Sequence, residues 1–216
     1  MKNETLQRIR DETQRLDELP TAIGSFELNK SDAVDENSVE IFSYDSAARH
    51  CKVSAYYDDA THEYKVRIRL GLIEWCRTRF FDSRFEKFCE RLRAELETMI
   101  GRFDENDFGS NSFIDKLKLN SWEYGKNLPP ALNGYKLFIK PSNPVEFTNG
   151  SHIIVNYVDF EDERDLVIYY NMFSDEFSAE ARVDGHIHVL YDFDAKTLNE
   201  LEEKLNANLN KTLSAR

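Results

Sequence analysis

Two histidines, His186 and His188, are separated by one residue in a stretch predicted to be a strand, where alternate side chains share a face. Glu180, Arg182 and Asp184 lie on the preceding strand or at the turn between the two. Two imidazoles bind a transition metal when a carboxylate converges on them as the third protein ligand. An exposed polar strand face accounts for the same residues without a metal, so the sequence assigns neither histidine to a metal site.

A second candidate site is a run of basic residues that alternate with largely apolar ones. Its members are Lys65, Arg67, Arg69, Arg77 and Arg79. The apolar set should face the helices and the basic set should face outward. If residues 72–74 form a turn, the four arginines would stack across a hairpin, and guanidinium groups bind carboxylate or phosphate through paired hydrogen bonds. These five residues are therefore the candidate ligand-binding site for an anion or an acidic partner segment.

Internal pairing is the favoured alternative for these cations, either with Glu63 and Glu74 or with the acidic surface of the other half of the chain. The chain carries 40 Asp and Glu against 28 Lys and Arg, so a carboxylate is available near any cation. Twelve of the fifteen arginines lie before residue 110, although both halves carry a net charge of −6. An anion site would therefore belong to the first half alone.

The sequence lacks the motifs of the common enzyme classes. It contains no nucleophile elbow, phosphate-binding glycine loop, HExxH motif or dinucleotide fingerprint, and it has only eight glycines. Carboxylates are numerous, but no two of them are singled out as an acid and base pair. We therefore expect a protein that is not an enzyme, with no catalytic residue and no cofactor.

Composition narrows the partners and the compartment. The net charge of −12 would repel a duplex phosphate backbone, so nucleic acid is not an expected partner. The three cysteines lack paired spacing and indicate reduced thiols in a cytosolic protein. The charged N-terminus lacks the apolar segment of a signal peptide, and no apolar run reaches the roughly 18 residues of a membrane span. We expect a cytoplasmic protein without a membrane partner.

An internal match divides the chain into two repeats. Residues 19–23 (Leu-Pro-Thr-Ala-Ile) match residues 128–132 (Leu-Pro-Pro-Ala-Leu) at an offset of 109, and residues 39–41 match residues 145–147. The closing helices share one apolar stripe at an offset of 113. Its members are Phe80, Phe85, Phe88, Leu92, Leu96 and Ile100 in the first repeat, and Phe193, Leu198, Leu201, Leu205, Leu209 and Leu213 in the second. The sequence thus predicts an internal duplication, with repeats at 1–109 and 110–216.

Each repeat is predicted to run from a helix through antiparallel strands to a second helix. In the first repeat, helices are expected over 4–18 and 84–101, and strands over 25–29, 38–44, 51–58 and 63–81, the last being one long strand or two. In the second, helices are expected over 112–119 and 196–212, and strands over 135–139, 145–148, 152–159, 165–173, 177–183 and 186–192. Short loops imply hairpins, and Asp184-Gly185 is a favoured hairpin turn. The expected fold class is α+β, with two-layer units of four to five strands related by a pseudo-twofold axis.

These observations favour an intracellular binding or scaffolding protein that is not an enzyme. We expect it to engage a protein partner through an exposed sheet face or through the groove between the repeats. The first alternative is a small anionic-ligand-binding protein or an enzyme, with a cleft between the repeats. The second alternative is an acidic mimic of nucleic acid. The oligomeric state is not assigned.

Overall fold

The computed structural model describes residues 3–14, 16, 19–30, 33–105, 112–148 and 150–214, and of residues 112–114 only the backbone. The chain divides into two compact units, Met1–Asp107 and Phe108–Arg216. Each unit contains helices and one antiparallel sheet, so the predicted α+β class is confirmed. The repeat boundary predicted at residue 109 lies outside the described residues.

The first unit begins with helix α1 (Asn3–Thr13) and continues into a sheet whose spatial order follows the sequence. Its strands are β1 (Ala22–Ile23), β2 (Phe26–Asn29), β3 (Ser38–Ser46), β4 (Cys51–Asp58), β5 (Glu63–Leu70) and β6 (Ile73–Cys76). A single 3-10 turn (Thr78–Phe80) leads to helix α2 (Phe85–Glu105). The long predicted strand is therefore two strands, because a tight turn at Gly71, where φ is +61°, separates β5 from β6.

The second unit opens with two short helices, α3 (Ser112–Leu117) and α4 (Glu123–Lys126). Its strands are β7 (Ala131–Leu132), β8 (Tyr135–Ile139), β9 (Val145–Thr148), β10 (Ser151–Asp159), β11 (Arg164–Asn171), β12 (Glu176–Val183) and β13 (His186–Val189). The sheet order is β13-β12-β11-β10-β8-β7, and β9 also pairs with β10. A 3-10 turn (Tyr191–Phe193) leads to the closing helix α5 (Leu198–Ser214).

Three elements are shorter than the sequence predicted. The first helix was expected to reach residue 18, but α1 ends at Thr13. The third was expected to reach residue 119, but α3 ends at Leu117 because Lys118 adopts the left-handed conformation, with φ of 57°. The last strand was expected to reach residue 192, but β13 ends at Val189, just before the 3-10 turn.

Each closing helix buries one apolar stripe whose members are spaced three and four residues apart. In α2 these are Phe85, Phe88, Cys89, Leu92, Leu96, Ile100 and Phe103, and in α5 they are Leu201, Leu205, Leu209 and Leu213. In the first unit the ring of Phe88 stacks on that of Tyr64 in β5, with 5.5 Å between the ring centres. In the second unit the α5 stripe joins one core cluster with buried residues of β10, β11 and β12. The apolar face of each sheet thus packs into the core of its own unit.

The two units share strand register as well as element order. From β3 onward, each strand and the closing helix of the first unit have a counterpart that begins 113 residues later. Both β3 and β10 carry an irregularity at the same point, around Ile41 and Ile154. Residues 145–147 differ, because they form β9, a strand added beside β10, whereas residues 39–41 lie in β3. Those two matched segments therefore do not occupy corresponding strands.

In each unit, a tyrosine of a central strand forms a hydrogen bond with the Leu-Pro segment. Tyr44 of β3 donates its hydroxyl hydrogen to the Pro20 carbonyl oxygen at 2.6 Å. Tyr157 of β10 donates to the Pro129 carbonyl oxygen at 2.8 Å. Both tyrosine residues are buried. The sequence match at the two Leu-Pro segments therefore coincides with one structural contact that occurs in both units.

Replacing Tyr157 with Phe removes only the hydroxyl that donates to the Pro129 carbonyl. We expect the free energy of unfolding to fall by about 1 kcal/mol, because a partly buried hydrogen bond is lost. Chemical denaturation followed by tryptophan fluorescence measures the change. Tyr191→Phe is the matched control, because Tyr191 is solvent-exposed and its hydroxyl can be replaced at little cost. Equal effects of the two substitutions would contradict the prediction.

Candidate functional site

Lys65, the first of the five predicted basic residues, is buried. Its Nζ lies 2.7 Å from a carboxylate oxygen of Asp58 and 3.6 Å from one of Glu63. The same ammonium nitrogen lies 4.9 Å from the centre of the Phe81 ring, which is a cation–π distance. A buried ammonium group that already faces two carboxylates has little capacity for a further anion.

Arg67, the second of them, is held by an aromatic ring and a carboxylate. Its guanidinium carbon lies 4.4 Å from the centre of the Tyr56 ring, and its Nε lies 3.4 Å from a Glu74 oxygen. The Tyr56 hydroxyl lies 3.2 Å from Sγ of Cys76, and burial raises the pKa of Tyr56 to about 12. Arg67 therefore belongs to an internal cluster on the face of the sheet that it shares with Lys65.

The other three arginines do not converge on Arg67. Arg69 is exposed and pairs in register with Glu74 across the hairpin. Arg77 lies just past the end of β6. Arg79 lies in the 3-10 turn, where its Nε is 2.8 Å from a carboxylate oxygen of α2. The five basic residues are therefore distributed between one face of β5 and the segment that follows β6.

The predicted stack of four guanidinium groups is wrong. The turn lies at residues 71–72 instead of 72–74, which sets Arg67 opposite Cys76 and Arg69 opposite Glu74. Three of the five basic side chains form ion pairs with carboxylates of their own unit. Anion binding by these residues stays a prediction.

The three cysteines, Cys51, Cys76 and Cys89, are free thiols. Burial raises the pKa of Cys51 to about 12 and that of Cys89 to about 11. Because the thiolate is the nucleophilic form of cysteine, these two buried thiols are poor nucleophiles at neutral pH.

His186 and His188 lie on β13, and both are exposed. In the register of the hairpin they face Val183 and Ala181 of β12, which offer no ligand atoms from their side chains. Over the described ranges, no three histidine, cysteine, aspartate or glutamate side chains are grouped as a metal site would require. The two imidazoles thus stand side by side on the strand without a third ligand from this part of the chain.

A buried polar cluster, which sequence reasoning did not identify, occupies the second unit at Asn156, Asp165 and Arg182. Asp165 is 3% exposed, and burial raises its pKa to about 6, against the opposing effect of Arg182. The Arg182 Nε lies 3.7 Å from one Asp165 oxygen, and the other oxygen lacks a hydrogen-bond donor among the described residues. The sequence shows an aspartate and an arginine on neighbouring predicted strands, but it does not show that the aspartate is buried.

A cavity of about 600 Å³ opens beside the loop that joins β7 to β8. Polar groups that line the cavity already form hydrogen bonds within the protein. The Asn133 Nδ2 donates to the Ser214 hydroxyl at 2.8 Å, and an Asp159 oxygen accepts the backbone N–H of Glu161 at 3.0 Å. Its described lining residues therefore offer no nucleophile with an adjacent base.

The most exposed strand of the protein's described part is β13, the outermost strand of its sheet. All four of its residues are exposed, with Ile187 at 56% and Val189 at 53%. Alternate side chains share a face, so these two form an apolar pair. Tyr191, in the turn that follows, is 75% exposed. Together Ile187, Val189 and Tyr191 form the apolar edge.

The hairpin that joins β12 to β13 fixes which backbone groups point outward. Its two-residue turn has positive φ at both residues (52° and 75°), the type that matches the twist of paired strands. His186 pairs with Val183 next to this turn, and such a pair exchanges both backbone hydrogen bonds. Because hydrogen bonding alternates along an antiparallel strand, the N–H and C=O groups of Ile187 and Val189 point away from β12. They form an open row of donors and acceptors.

The corresponding strand of the first unit, β6, is buried on the face where β13 carries its histidines. Ile73 and Trp75 of β6 are buried, and the Trp75 ring lies 6.4 Å from that of Phe103 in α2. Their counterparts 113 residues later are His186 and His188, both exposed.

On the opposite face, Glu74 and Cys76 of β6 stand where β13 carries Ile187 and Val189. A charged side chain on an outermost strand discourages further pairing, and β13 lacks one at the matching position. Sequence reasoning missed the apolar edge because alternation assigns two faces to a strand without indicating which face is covered. The available signal was that the apolar members of this strand alternate with histidine rather than with a second apolar set.

No protein-family model, curated protein or solved structure significantly matches this chain. Among the described residues, no helix combines the length and apolar character needed to cross a membrane. The site is therefore interpreted from its own geometry.

Replacing Asp165 with Asn should change how stability depends on pH. The folded protein raises the Asp165 pKa from 3.8 to about 6, so the carboxyl group favours folding most below about pH 4 and loses that contribution as the pH rises toward 6. Asn cannot ionise. Between pH 3.5 and pH 7.5, the free energy of unfolding of the variant should therefore rise relative to that of the original protein by about 3 kcal/mol. Urea denaturation across this range measures the difference, and a difference independent of pH would contradict the assignment.

Proposed function

We propose that this protein is a binding protein, without enzymatic activity, that takes up an extended segment of another protein as an additional strand beside β13. The observation that carries the proposal is the apolar edge on an outermost strand whose outward backbone groups have no neighbouring strand in the part of the chain that the structure describes. Strand addition to an open sheet edge is a common mode of peptide recognition, in which the main chain provides affinity and side chains provide specificity. The occupant is therefore an extended polypeptide.

The geometry of β13 favours a strand over a helix as occupant. Ile187 and Val189 present their N–H and C=O groups in the plane of the sheet, where only another extended backbone can pair with all four. Their side chains and Tyr191 add apolar area beside that row. A docked helix would leave the backbone groups to water and would gain only the contact with the side chains.

We also propose that the two units arose by duplication of one α+β unit. The constant spacing from β3 to the closing helices, the matching bulges and the matching tyrosine contacts support a common origin. A pseudo-twofold relation between the copies stays a prediction. Under this proposal the first copy kept a covered outer strand, and the second copy diverged to carry the binding edge. A cytoplasmic location is part of the proposal, in keeping with three free thiols.

Hydrogen exchange in the free protein tests the geometry of the edge without any ligand. The backbone N–H of Leu190 donates to the Ala179 carbonyl oxygen at 2.9 Å, and the register also directs the N–H groups of His186 and His188 toward β12. We expect these three amides to exchange more slowly than those of Ile187 and Val189, which point outward. Amide exchange measured by NMR resolves the alternation, and uniform exchange along β13 would contradict it.

Ile187→Glu tests the function, because it gives β13 the charge that Glu74 gives β6. Peptides selected on the immobilised protein from a random-peptide display library should bind the original protein and lose at least about tenfold in affinity for the variant, since the charge must be desolvated at the edge. Ile187 is more than half exposed, so the variant should fold. Phe173→Glu is the matched control, because Phe173 is 82% exposed but lies in the turn between β11 and β12.

Two results would overturn the proposed function. One is selected peptides that bind Ile187→Glu as tightly as the original protein. The other is selected peptides that keep their affinity when the backbone nitrogens of alternate residues are methylated, since strand pairing requires those N–H groups.

A further inference from the structure

We infer, resting on strand addition at β13, that the segment taken up carries Lys or Arg on both sides of a short apolar core, and that it comes from a different protein rather than from a second copy of this chain. Two observations lead to this inference. The first is the charge at the two ends of β13, and the second is the register in which two copies of β13 would have to pair.

Carboxylates stand at both ends of the binding edge. Asp184 lies in the turn before β13, and its side chain is 78% exposed. Asp192 lies in the 3-10 turn after β13 and is also exposed. Between them the strand carries only histidine, isoleucine and valine. An extended partner laid along β13 therefore meets a centre without carboxylates and two acidic ends.

Two arginines lie near this edge, each beside a carboxylate. Arg182 pairs in register with Ile187, and its Nε lies 3.7 Å from the buried Asp165 carboxylate. Arg164 lies 3.7 Å from Asp184, and that carboxylate stays largely exposed. The chain as a whole carries a net charge of −12. The potential at the edge is therefore negative, and it favours cationic flanks on the occupant.

A second copy of the chain fits this edge poorly. Two edge strands related by a twofold axis within one sheet pair antiparallel, and their outward-pointing residues must face each other. The register that uses both outward residues sets Ile187 opposite Val189 of the second copy. Beyond the ends of the strand, that register brings the turn that holds Asp184 close to the 3-10 turn that holds Asp192 of the other copy, and this happens at both ends. Like charges brought close together in this way disfavour the pair.

Shifted registers do not remove the problem. Moving the second copy by two residues leaves a single outward residue of each strand in a hydrogen-bonded pair, so half of the backbone bonds are lost. Both copies also carry the same net charge of −12. The edge therefore disfavours pairing with a second copy of this chain and favours a basic segment of a different protein.

The test uses three synthetic peptides with one core, Val-Thr-Val-Thr-Val, flanked on both sides by two lysines, two serines or two glutamates. Fluorescence polarisation measures their affinity for the full chain at low and high salt. We expect the lysine-flanked peptide to bind roughly threefold to thirtyfold more tightly than the serine-flanked peptide at low salt, with the glutamate-flanked peptide weakest. Added salt should reduce the difference.

Charge-neutral variants locate the effect. The double variant Asp184→Asn/Asp192→Asn should bind the serine-flanked peptide as before and lose the preference for lysine flanks. Glu123→Gln/Glu203→Gln is the matched control, because it removes two exposed carboxylates from helices and not from the ends of β13. This control should keep the preference for lysine.

The outcomes separate this inference from the proposed function. If all three peptides bind equally and Ile187→Glu abolishes their binding, strand addition stands and the inference of a basic partner is overturned. If sedimentation shows a dimer that the Ile187→Glu substitution dissociates into monomers, the second copy is the occupant and the inference is overturned. If no peptide binds and the protein is a monomer, the proposed function itself fails.

Discussion

Cover on one face of the outer strand is the constraint on which the binding edge depends. In the first unit, Phe103 of α2 contacts Trp75, and β6 is buried on that face. In the second unit, exposed histidines stand where the first unit has a buried isoleucine and a buried tryptophan. The buried stripe of α5 extends, among the described residues, to Leu213, the counterpart of Ile100.

An outer strand that lacks this cover depends on its hairpin. β13 keeps its place through the backbone bonds to β12 and through a turn whose positive φ angles suit paired strands. Its side chains contribute little, because apolar area that stays in water stabilises nothing. A strand in this condition gains both backbone bonds and apolar burial from a partner, at roughly 25 cal/mol for each Å² of apolar surface removed from water. Under the proposed function, the exposure that costs the isolated protein stability is thus the source of the affinity for a partner strand.

The sequence was sufficient for the fold class, the closing helices and the Asp184-Gly185 hairpin, because each rests on local periodicity or turn chemistry. It was insufficient where the outcome depended on neighbours. Lys65 alternates with apolar residues as an outward residue should, yet it is buried against Asp58, and alternation gives no information on what covers a face. The turn lies at residues 71–72 and not at 72–74, and this difference decided the arginine geometry because it changed the partner of every residue across the hairpin.

The same limit applied to the candidate site. Ile187 and Val189 satisfy the pattern of a half-buried strand, so the pattern alone would place them in a core. Only the position of β13 at the end of the sheet, together with the exposure of its side chains, identifies them as surface. Asp165 likewise is a charged residue near the start of its strand, and its burial beside Arg182 depends on packing that a local sequence window does not contain.

An open apolar strand is a hazard as well as a binding edge, because any other exposed strand can pair with it. Natural sheets limit this hazard by keeping such strands short and by placing charges on them. β13 has four residues, and its charges stand at the ends rather than within it. Charges within the strand, as at Glu74 in β6, would block every partner. Charges at the ends leave the outward N–H and C=O groups of the strand able to pair, and they restrict that pairing to partners of opposite charge. Under the proposed function, Asp184 and Asp192 serve two purposes, because the carboxylates that repel a second copy of this acidic chain also attract a basic segment.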